Sequence, residues 1–358
     1  MNALQQTKQL GQSLWLDNLS RTLIQEGGLQ RLITEDGVSG VTSNPAIFFN
    51  AISKSPYYRD DVARLKALKT PAEPLYEALV IPDIQAACDL MRPEYNRTHG
   101  RDGYVSLEVS PALAPDAAGT VAAGLRLKAA VQRKNLLIKV PATPAGLKAI
   151  EELIAQGCSV NVTLMFSLAH VNAVAQAYVR GLQRLVDAGG DPCPVKSVAS
   201  LFLSRVDTLV DKQLDNKGGD ALALRGKAGV ALAKLAYREY QQTFTSEAFV
   251  KLAVKGAQPQ TMLWASTGTK NAAYSDVMYV ESLIGAETIN TVPDATLNAF
   301  RDHGKATATL EHGMDEAQAH FDALGQAGID MREAGETLQI EGVTLFEQAF
   351  EQLLKLLA

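Results

Sequence analysis

The sequence predicts an α/β protein of the (β/α)8 TIM-barrel class with extra helices. Short apolar runs rich in β-branched residues recur eight times along the chain, and longer amphipathic stretches separate them. This alternation is typical of βα units that build a parallel sheet, and eight such units favour a closed barrel. No Gly-x-Gly-x-x-Gly motif follows the first run, which weakens the alternative of an open doubly wound sheet.

The candidate strands are the eight apolar runs themselves. Each is five or six residues long, which is an ordinary strand length. In chain order they cover 13–17, 38–42, 104–109, 136–140, 159–163, 195–200, 261–266 and 287–292.

The connecting helices carry recognisable start and stop signals. Segment 119–132 is rich in Ala, Leu and Lys and leads into the fourth run. Segment 144–156 has Thr143 as a candidate N-cap and a proline in its first turn, and a glycine follows it. Segment 167–186 begins with Ser167 as a candidate N-cap and ends before a Gly-Gly pair.

Two intervals are too long for a single crossover. We expect helical insertions near 45–103, where one helix covers 74–91, and near 203–258. The tail is also expected to be helical, over 294–301, 315–324 and 342–357. Because no Pro/Gly/Ser-rich linker divides the chain, residues 1–358 are predicted to form a single domain.

The net charge of the chain argues against two classes of binding partner. With 34 Lys and Arg against 39 Asp and Glu, the formal charge is −5. A mildly acidic chain is a poor candidate for general binding to nucleic acid or to an anionic membrane. We therefore expect neither partner.

Cysteine usage and the N-terminal sequence indicate a compartment. The three cysteines form no Cys-x-x-Cys pair, which argues against a disulfide framework and fits reducing conditions. The first residues lack a basic segment followed by an apolar one, and no apolar run approaches the roughly 18 residues of a membrane span. The expected location is cytoplasmic. With five histidines, no metal or other cofactor is expected.

Lys139 is the most informative single residue. It interrupts the apolar run 136–140 near its end, where barrel enzymes place their chemistry. Burial disfavours the ammonium form of a lysine, and the neutral amine can attack a carbonyl to form a Schiff base. A structural lysine paired with Glu108 or Asp17 is the alternative. Lys196 lies early in its run, so a stabilising or surface role near the bottom of the barrel is expected.

Other strands also carry polar groups near their ends. Glu108 and Asp17 are carboxylates in apolar surroundings, suited to moving protons beside an amine. Asn161 and Thr163 are two residues apart, so they share one face of a strand and could hold a water or a substrate hydroxyl. A satisfied polar layer in the barrel core is the alternative for these two. The remaining candidates are Thr42, Asn44, Ser200 and Ser266.

An anion site is predicted after the seventh strand. The loop 266–271 combines small residues and hydroxyls with Lys270 before a helical segment, a composition that suits phosphate. Barrels often bind phosphate after strands seven and eight. Arg205, after the sixth strand, could add a bidentate contact. Many Ser/Thr/Gly turns bind nothing, so the loop alone decides little.

Several segments resemble the transaldolase family. Segment 40–48, GVTSNPAIF, is similar to the family's N-terminal signature, and 137–143, LIKVPAT, is similar to its Schiff-base strand. Segments 161–167 and 104–109 and the strand-one Asp17 fit in the same order. The resemblance implies a (β/α)8 barrel that moves a dihydroxyacetone unit between phosphorylated sugars, as a transferase of the pentose phosphate pathway.

The resemblance also implies residue roles. Lys139 would attack the ketose carbonyl, Glu108 would move protons with a water held by Thr163, and Asp17 would take the proton of the C4 hydroxyl. The residues expected to position substrate hydroxyls and the enamine are Thr42, Asn44, Asn161 and Ser200. Arg205 and Ser266 would bind phosphate. Compact family members carry an Arg soon after that serine, and Lys270 is the expected substitute here.

Three functions remain in competition at this point. The first is transaldolase, acting on phosphorylated sugars as a monomer or homodimer. The second is a lyase like fructose-6-phosphate aldolase, which the length and Glu108 argue against. The third is a catalytically silent sugar-phosphate-binding barrel, which the presence of Asp17, Glu108 and Lys139 argues against.

Overall fold

Eight parallel strands close into a barrel in chain order, as the alternation of apolar runs predicted. The computed structural model describes residues 2–358. Each strand pairs with its sequence neighbour, and the first pairs with the last. The strands are β1 (Gln12–Leu16), β2 (Gly40–Val41), β3 (Val105–Glu108), β4 (Leu136–Pro141), β5 (Val160–Met165), β6 (Ser197–Phe202), β7 (Thr261–Ala265) and β8 (Thr288–Val292).

Helices surround this barrel on the outside and fill the long connections. Within residues 2–358 the α-helices are α1 (Ala3–Gln9), α2 (Arg21–Gln25), α3 (Gly28–Arg31), α4 (Pro45–Lys54), α5 (Arg59–Ala67), α6 (Ala72–Arg97), α7 (Ala117–Val131), α8 (Pro144–Ala155), α9 (Leu168–Asp187), α10 (Ser204–Lys217), α11 (Ala228–Phe244), α12 (Glu247–Ala253), α13 (Met278–Glu281), α14 (Asp294–His303), α15 (Met314–Gln326) and α16 (Met331–Leu357). None of them is both long enough and apolar enough to cross a membrane.

Two helix starts confirm the predicted caps. The Thr143 hydroxyl accepts a hydrogen bond from the Gly146 amide at 3.0 Å, at the start of α8. The Ser167 hydroxyl accepts one from the His170 amide at 3.2 Å, at the start of α9. Each cap satisfies an amide that the first helical turn leaves without a partner.

Both predicted insertions are helical. The interval 45–103 contains α4, α5 and α6, and α6 extends beyond the predicted 74–91 despite Pro82 and Pro93 inside it. The interval 203–258 contains α10, α11, α12 and a short 3₁₀ turn over Gly219–Leu224. That residues 1–358 form one domain stays a prediction.

The last helix, α16, begins at Met331 instead of the predicted 342. Its early turns contain Gly335 and Gly342, which lower helix propensity. A Cβ on Gly335 would lie 2.6 Å from the Ser167 Cβ, and one on Gly342 would lie 3.0 Å from Leu164 Cδ2. The glycines that obscured the helix in the sequence are therefore the positions where it packs most closely on the carboxyl ends of the strands.

Lys196 lies at the amino-terminal end of the barrel, as predicted. It directly precedes β6, is 5% exposed, and donates a hydrogen bond from Nζ to the Thr261 hydroxyl at 2.7 Å. Burial lowers the pKa of Lys196 to about 8, although the charges of Asp102 and Glu287 oppose the shift. The residue is placed to stabilise the bottom of the barrel.

Candidate active site

A pocket of about 230 Å³ opens at the carboxyl ends of the strands. Glu108 and Asn161 do not line it but lie directly behind lining residues, in hydrogen-bond contact with them. The sequence-predicted residues that line it are Asp17, Thr42, Asn44, Lys139, Thr163, Ser200, Arg205, Ser266 and Lys270.

Lys139 and Glu108 form a buried pair on adjacent strands. The parallel register of β3 and β4 aligns the two residues, and Lys139 Nζ lies 3.2 Å from Glu108 Oε2. Nζ also donates to the Ser43 carbonyl at 3.0 Å. This is the pairing that the structural interpretation of Lys139 expected, but the amine also borders an open cavity, which the catalytic interpretation requires.

The Glu108 carboxyl is suited to exchanging protons near neutral pH. Burial raises its pKa to about 7, and the charge of Asp17 adds to the shift, although the Lys139 ammonium and its hydrogen bond oppose it. A general acid or base works best when its pKa lies near the working pH. Glu108 can therefore both accept and return a proton beside the amine.

Asp17 is the second carboxyl of the site. It follows β1, where its backbone amide donates to the Val292 carbonyl at 2.8 Å. Its Oδ1 accepts a hydrogen bond from the Thr42 hydroxyl at 2.8 Å, and that hydroxyl lies 2.7 Å from Thr291 Oγ1. Burial raises the pKa of Asp17, although the charge of Lys139 opposes the shift. The side chain is held in a fixed orientation toward the pocket.

Asn161 and Thr163 differ in how their polar atoms are used. The Asn161 amide accepts from Ser200 Oγ at 2.7 Å and donates to Ser106 Oγ at 2.9 Å, as the polar-layer alternative expected. Thr163 Oγ1 is buried without a hydrogen-bond partner in the part of the chain that the structure describes. A buried unpaired hydroxyl beside a pocket is suited to hold a water or a substrate hydroxyl.

Asn44 has a structural use as well as a place in the pocket wall. Its side-chain oxygen caps α4 by accepting a hydrogen bond from the Ile47 amide at 3.0 Å. The cap orients the side chain and leaves its amide nitrogen as the group available to a ligand.

Two further cations, Arg205 and Lys270, line the pocket. Arg205, in the first turn of α10, lies over the Phe202 ring with its guanidinium carbon 5.8 Å from the ring centre. Burial lowers the pKa of Arg205. Neither Arg205 nor the exposed Lys270 forms an ion pair within residues 2–358. Cations without carboxylate partners in a concave site attract an anionic ligand.

Ser266 brings a hydroxyl to the same pocket. It follows β7 with a φ of +54°, in the left-handed region that is uncommon for a residue with a Cβ. Its Oγ lies 2.8 Å from Ser204 Oγ, and its carbonyl accepts from the Ser204 amide at 3.1 Å. These two contacts hold the strained residue in place.

Outside the predicted loop 266–271, sequence reasoning missed five lining residues, which are Phe202, Ala265, Thr291, Pro293 and Phe346. Thr291, near the end of β8, has the same late polar position as the recognised candidates, so its signal was present. Phe202 and Phe346 are apolar and carried no signal. Phe346 comes from the tail helix, and its ring centre lies 5.4 Å from Lys139 Nζ.

The described residues show no cluster that could hold a metal ion. Among residues 2–358, no group of three or more His, Cys, Asp or Glu side chains converges in the way that a metal site requires.

Comparisons with known proteins agree on one family. A family model described as transaldolase/fructose-6-phosphate aldolase matches residues 14–357. A transaldolase of Thiobacillus denitrificans is 55% identical over 355 residues, covering 99% of both chains. A transaldolase of Neisseria gonorrhoeae is 48% identical over 354 residues, again covering 99% of both. One of Mycolicibacterium smegmatis is 46% identical over 346 residues, covering 96% of this chain and 93% of its own.

Proposed function

Because the chain belongs to the transaldolase/fructose-6-phosphate aldolase family, we propose that it is a transaldolase. It transfers a dihydroxyacetone unit from sedoheptulose 7-phosphate to glyceraldehyde 3-phosphate, giving erythrose 4-phosphate and fructose 6-phosphate. The observation that carries the proposal is the Lys139–Glu108 pair, 3.2 Å apart at the wall of a pocket that is also lined by the unpaired cations Arg205 and Lys270.

Lys139 is the nucleophile of this proposal. Its amine attacks the ketose carbonyl carbon, and the oxygen leaves as water after Glu108 supplies a proton. The resulting imine accepts electrons from the neighbouring carbon–carbon bond. This electron sink lies in the protein's own side chain, so the bond can break without a metal or an organic cofactor.

Asp17 controls the cleavage step. It accepts the proton of the C4 hydroxyl as the C3–C4 bond breaks, and the bonding electrons pass to the imine as an enamine. The aldose phosphate then departs. When the acceptor aldehyde binds, the enamine carbon attacks it, and Asp17 returns a proton to the new hydroxyl. The hydrogen bond from Thr42 fixes the carboxyl for both directions.

The neighbouring polar groups position water and substrate. The unpaired Thr163 hydroxyl holds the water that exchanges protons with Glu108. Ser200 lies in the pocket wall with its orientation set by Asn161, and the Asn44 amide nitrogen donates to a substrate oxygen. Ser200 and Asn44 are each held by a hydrogen bond inside the protein, so little of their conformational freedom is lost on binding.

The phosphate binds beside the two unpaired cations. Arg205 offers a forked donor, Ser266 a hydroxyl and Lys270 a second charge. Phosphorylated sugars are accordingly the proposed substrates. A lyase that releases free dihydroxyacetone is the competing activity, and the name carried by the similar full-length relatives favours transfer.

Trapping of the imine tests the proposal. The protein is incubated with fructose 6-phosphate and borohydride, and the modified residue is mapped by mass spectrometry. An adduct at Lys139 is expected, and Lys139→Arg should abolish both adduct and turnover. A Lys196→Arg variant is the matched control, because that lysine is equally buried at the other end of the barrel. No adduct, or one at Lys196, would refute the mechanism.

The location and assembly are part of the same proposal. Cys88, Cys158 and Cys193 are all free thiols, which fits a reducing cytoplasm. A monomer or homodimer is expected, and light scattering of the purified protein distinguishes the two.

A further inference from the structure

The C-terminal helix α16 is fixed across the mouth of the barrel. Gln339 donates from Nε2 to the carbonyls of Ala142 and Leu164, both at 3.0 Å, and is 6% exposed. One turn earlier, the Glu336 carboxylate lies 3.3 Å from His170 Nε2. The two hydrogen bonds of Gln339 tie the helix to Ala142, which follows β4, and to Leu164 in β5.

Leu164 is shaped to receive this helix. It lies in β5 where the pairing with β6 changes register, and its φ is +59°. A left-handed conformation is costly for a leucine and persists where the surroundings impose it. Its carbonyl accepts from Gln339, and its side chain lies against the surface left free by Gly342. The position of the helix is therefore built into the strand beneath it.

The fixed helix places one apolar ring beside the reactive amine. Phe346 lines the pocket, and its ring centre is 5.4 Å from Lys139 Nζ. The ring also borders a small cavity next to Glu108. The ring therefore covers the side of the lysine that faces α16.

We propose that Phe346 is a specificity-determining residue that keeps bulk water from the three-carbon unit bound to Lys139. This inference rests on the proposed function. The bound enamine has two fates: its C3 can bond to an aldehyde carbon, which is transfer, or C3 can take a proton. Protonation yields an imine, a water adds to its C2, the C–N bond breaks, and dihydroxyacetone leaves as the lysine amine returns.

Phe346 acts on the step in which C3 of the enamine takes up a proton. The water held at Thr163 and Glu108 serves imine formation and hydrolysis in either case, whereas random protonation at C3 requires access of bulk solvent. A side chain that limits the site to its held water therefore favours transfer over free release.

Partitioning measured in Phe346 variants tests this inference. Dihydroxyacetone release from fructose 6-phosphate without acceptor is compared with transfer to erythrose 4-phosphate. In Phe346→Ala the ratio of release to transfer should rise about tenfold or more, equivalent to about 1.4 kcal/mol of relative barrier. Phe346→Val should give an intermediate rise, and Phe346→Leu should restore the wild-type ratio. The valine and leucine variants keep the test decisive if the alanine variant does not fold.

A control variant at the neighbouring residue and the borohydride adduct at Lys139 distinguish failure of this inference from failure of the proposed function. Leu345 is next in sequence but 49% exposed, so Leu345→Ala should leave the ratio unchanged. Borohydride trapping at Lys139 is measured in every variant. A normal adduct with an unchanged ratio across the Phe346 series would overturn only the proposed role of Phe346. Absence of any adduct in the wild type would overturn the proposed function on which it rests.

Discussion

Replacing Thr163 by valine separates the catalytic use of this residue from any structural one. The two side chains have nearly the same shape, so the change removes a hydroxyl and little else. Because Thr163 Oγ1 has no hydrogen-bond partner within residues 2–358, no bond inside the protein is broken. If the hydroxyl holds the water that serves Glu108, activity falls while stability does not.

The magnitudes differ enough to decide. The free energy of unfolding should change by less than about 1 kcal/mol, the scale of a single net hydrogen bond. Loss of a positioned proton-transfer group lowers kcat by about 10²–10⁴-fold. Thr120→Val provides the reference, because the residue is 2% exposed and its hydroxyl donates to the Leu113 carbonyl at 3.0 Å. That change should cost about 1–3 kcal/mol of stability and leave kcat unchanged.

Urea unfolding and steady-state transfer kinetics provide the two measurements. Thr163→Val should unfold at the wild-type urea midpoint with a depressed kcat, and Thr120→Val should show the reverse. A wild-type kcat in Thr163→Val would refute the role of the hydroxyl. A loss of stability as large as that of Thr120→Val would show instead that the hydroxyl is bonded inside the fold.

Three further changes probe charge. Lys270→Ala should raise KM for phosphorylated ketoses by about tenfold, equivalent to about 1.4 kcal/mol, and spare unphosphorylated analogues; equal effects on both would argue against a phosphate contact. In the wild type, kcat/KM should fall as pH rises above about 7, where Glu108 no longer carries the proton that it supplies to the departing oxygen, and Glu108→Gln should remove this limb of the profile. The pKa of Glu108 in the folded protein, about 7, lies above its free value of 4.5, so the folded state binds this proton more tightly than the unfolded state. The stability that Glu108 contributes is therefore present below pH 4.5 and is lost as pH rises toward 7. The urea midpoint of Glu108→Gln should not show this change with pH. Asp83→Ala removes the 2.8 Å ion pair of the buried Arg21, which keeps Asp61 at 2.7 Å, and should cost about 1–3 kcal/mol in urea unfolding while the folded protein remains active.

The barrel could be predicted because each strand is a short apolar run with clear boundaries. Parallel strands buried on both faces leave such runs in the sequence, and caps such as Thr143 and Ser167 mark where helices begin. The tail helix was harder, since Gly335 and Gly342 weaken its local signal. Glycine is needed at these two positions because of tertiary packing: a side chain there would collide with Ser167 or Leu164. A close approach between distant segments leaves no periodic pattern in either one.

The polar residues of the candidate site could also be predicted from the sequence, for a related reason. In a parallel barrel, polar residues late in apolar runs converge at one end, and this rule brought Asp17, Lys139 and Thr163 to one pocket. The apolar lining residues could not be predicted, because in the sequence Phe202 and Phe346 cannot be distinguished from ordinary core residues. The orientation of Asn161 depended on its partners, which only the folded arrangement identifies.

Burial alone does not identify the reactive lysine. Lys139 and Lys196 are each 5% exposed and each lies on or beside a barrel strand. Burial even lowers the pKa of Lys196 to about 8, which makes its neutral amine readily available. Yet Lys196 bonds to Thr261 at the amino-terminal end, whereas Lys139 meets Glu108 beside a cavity that two cations also line. An amine becomes a nucleophile where a carbonyl can reach it with a proton donor alongside, and only the lysine at the carboxyl end of its strand satisfies both requirements.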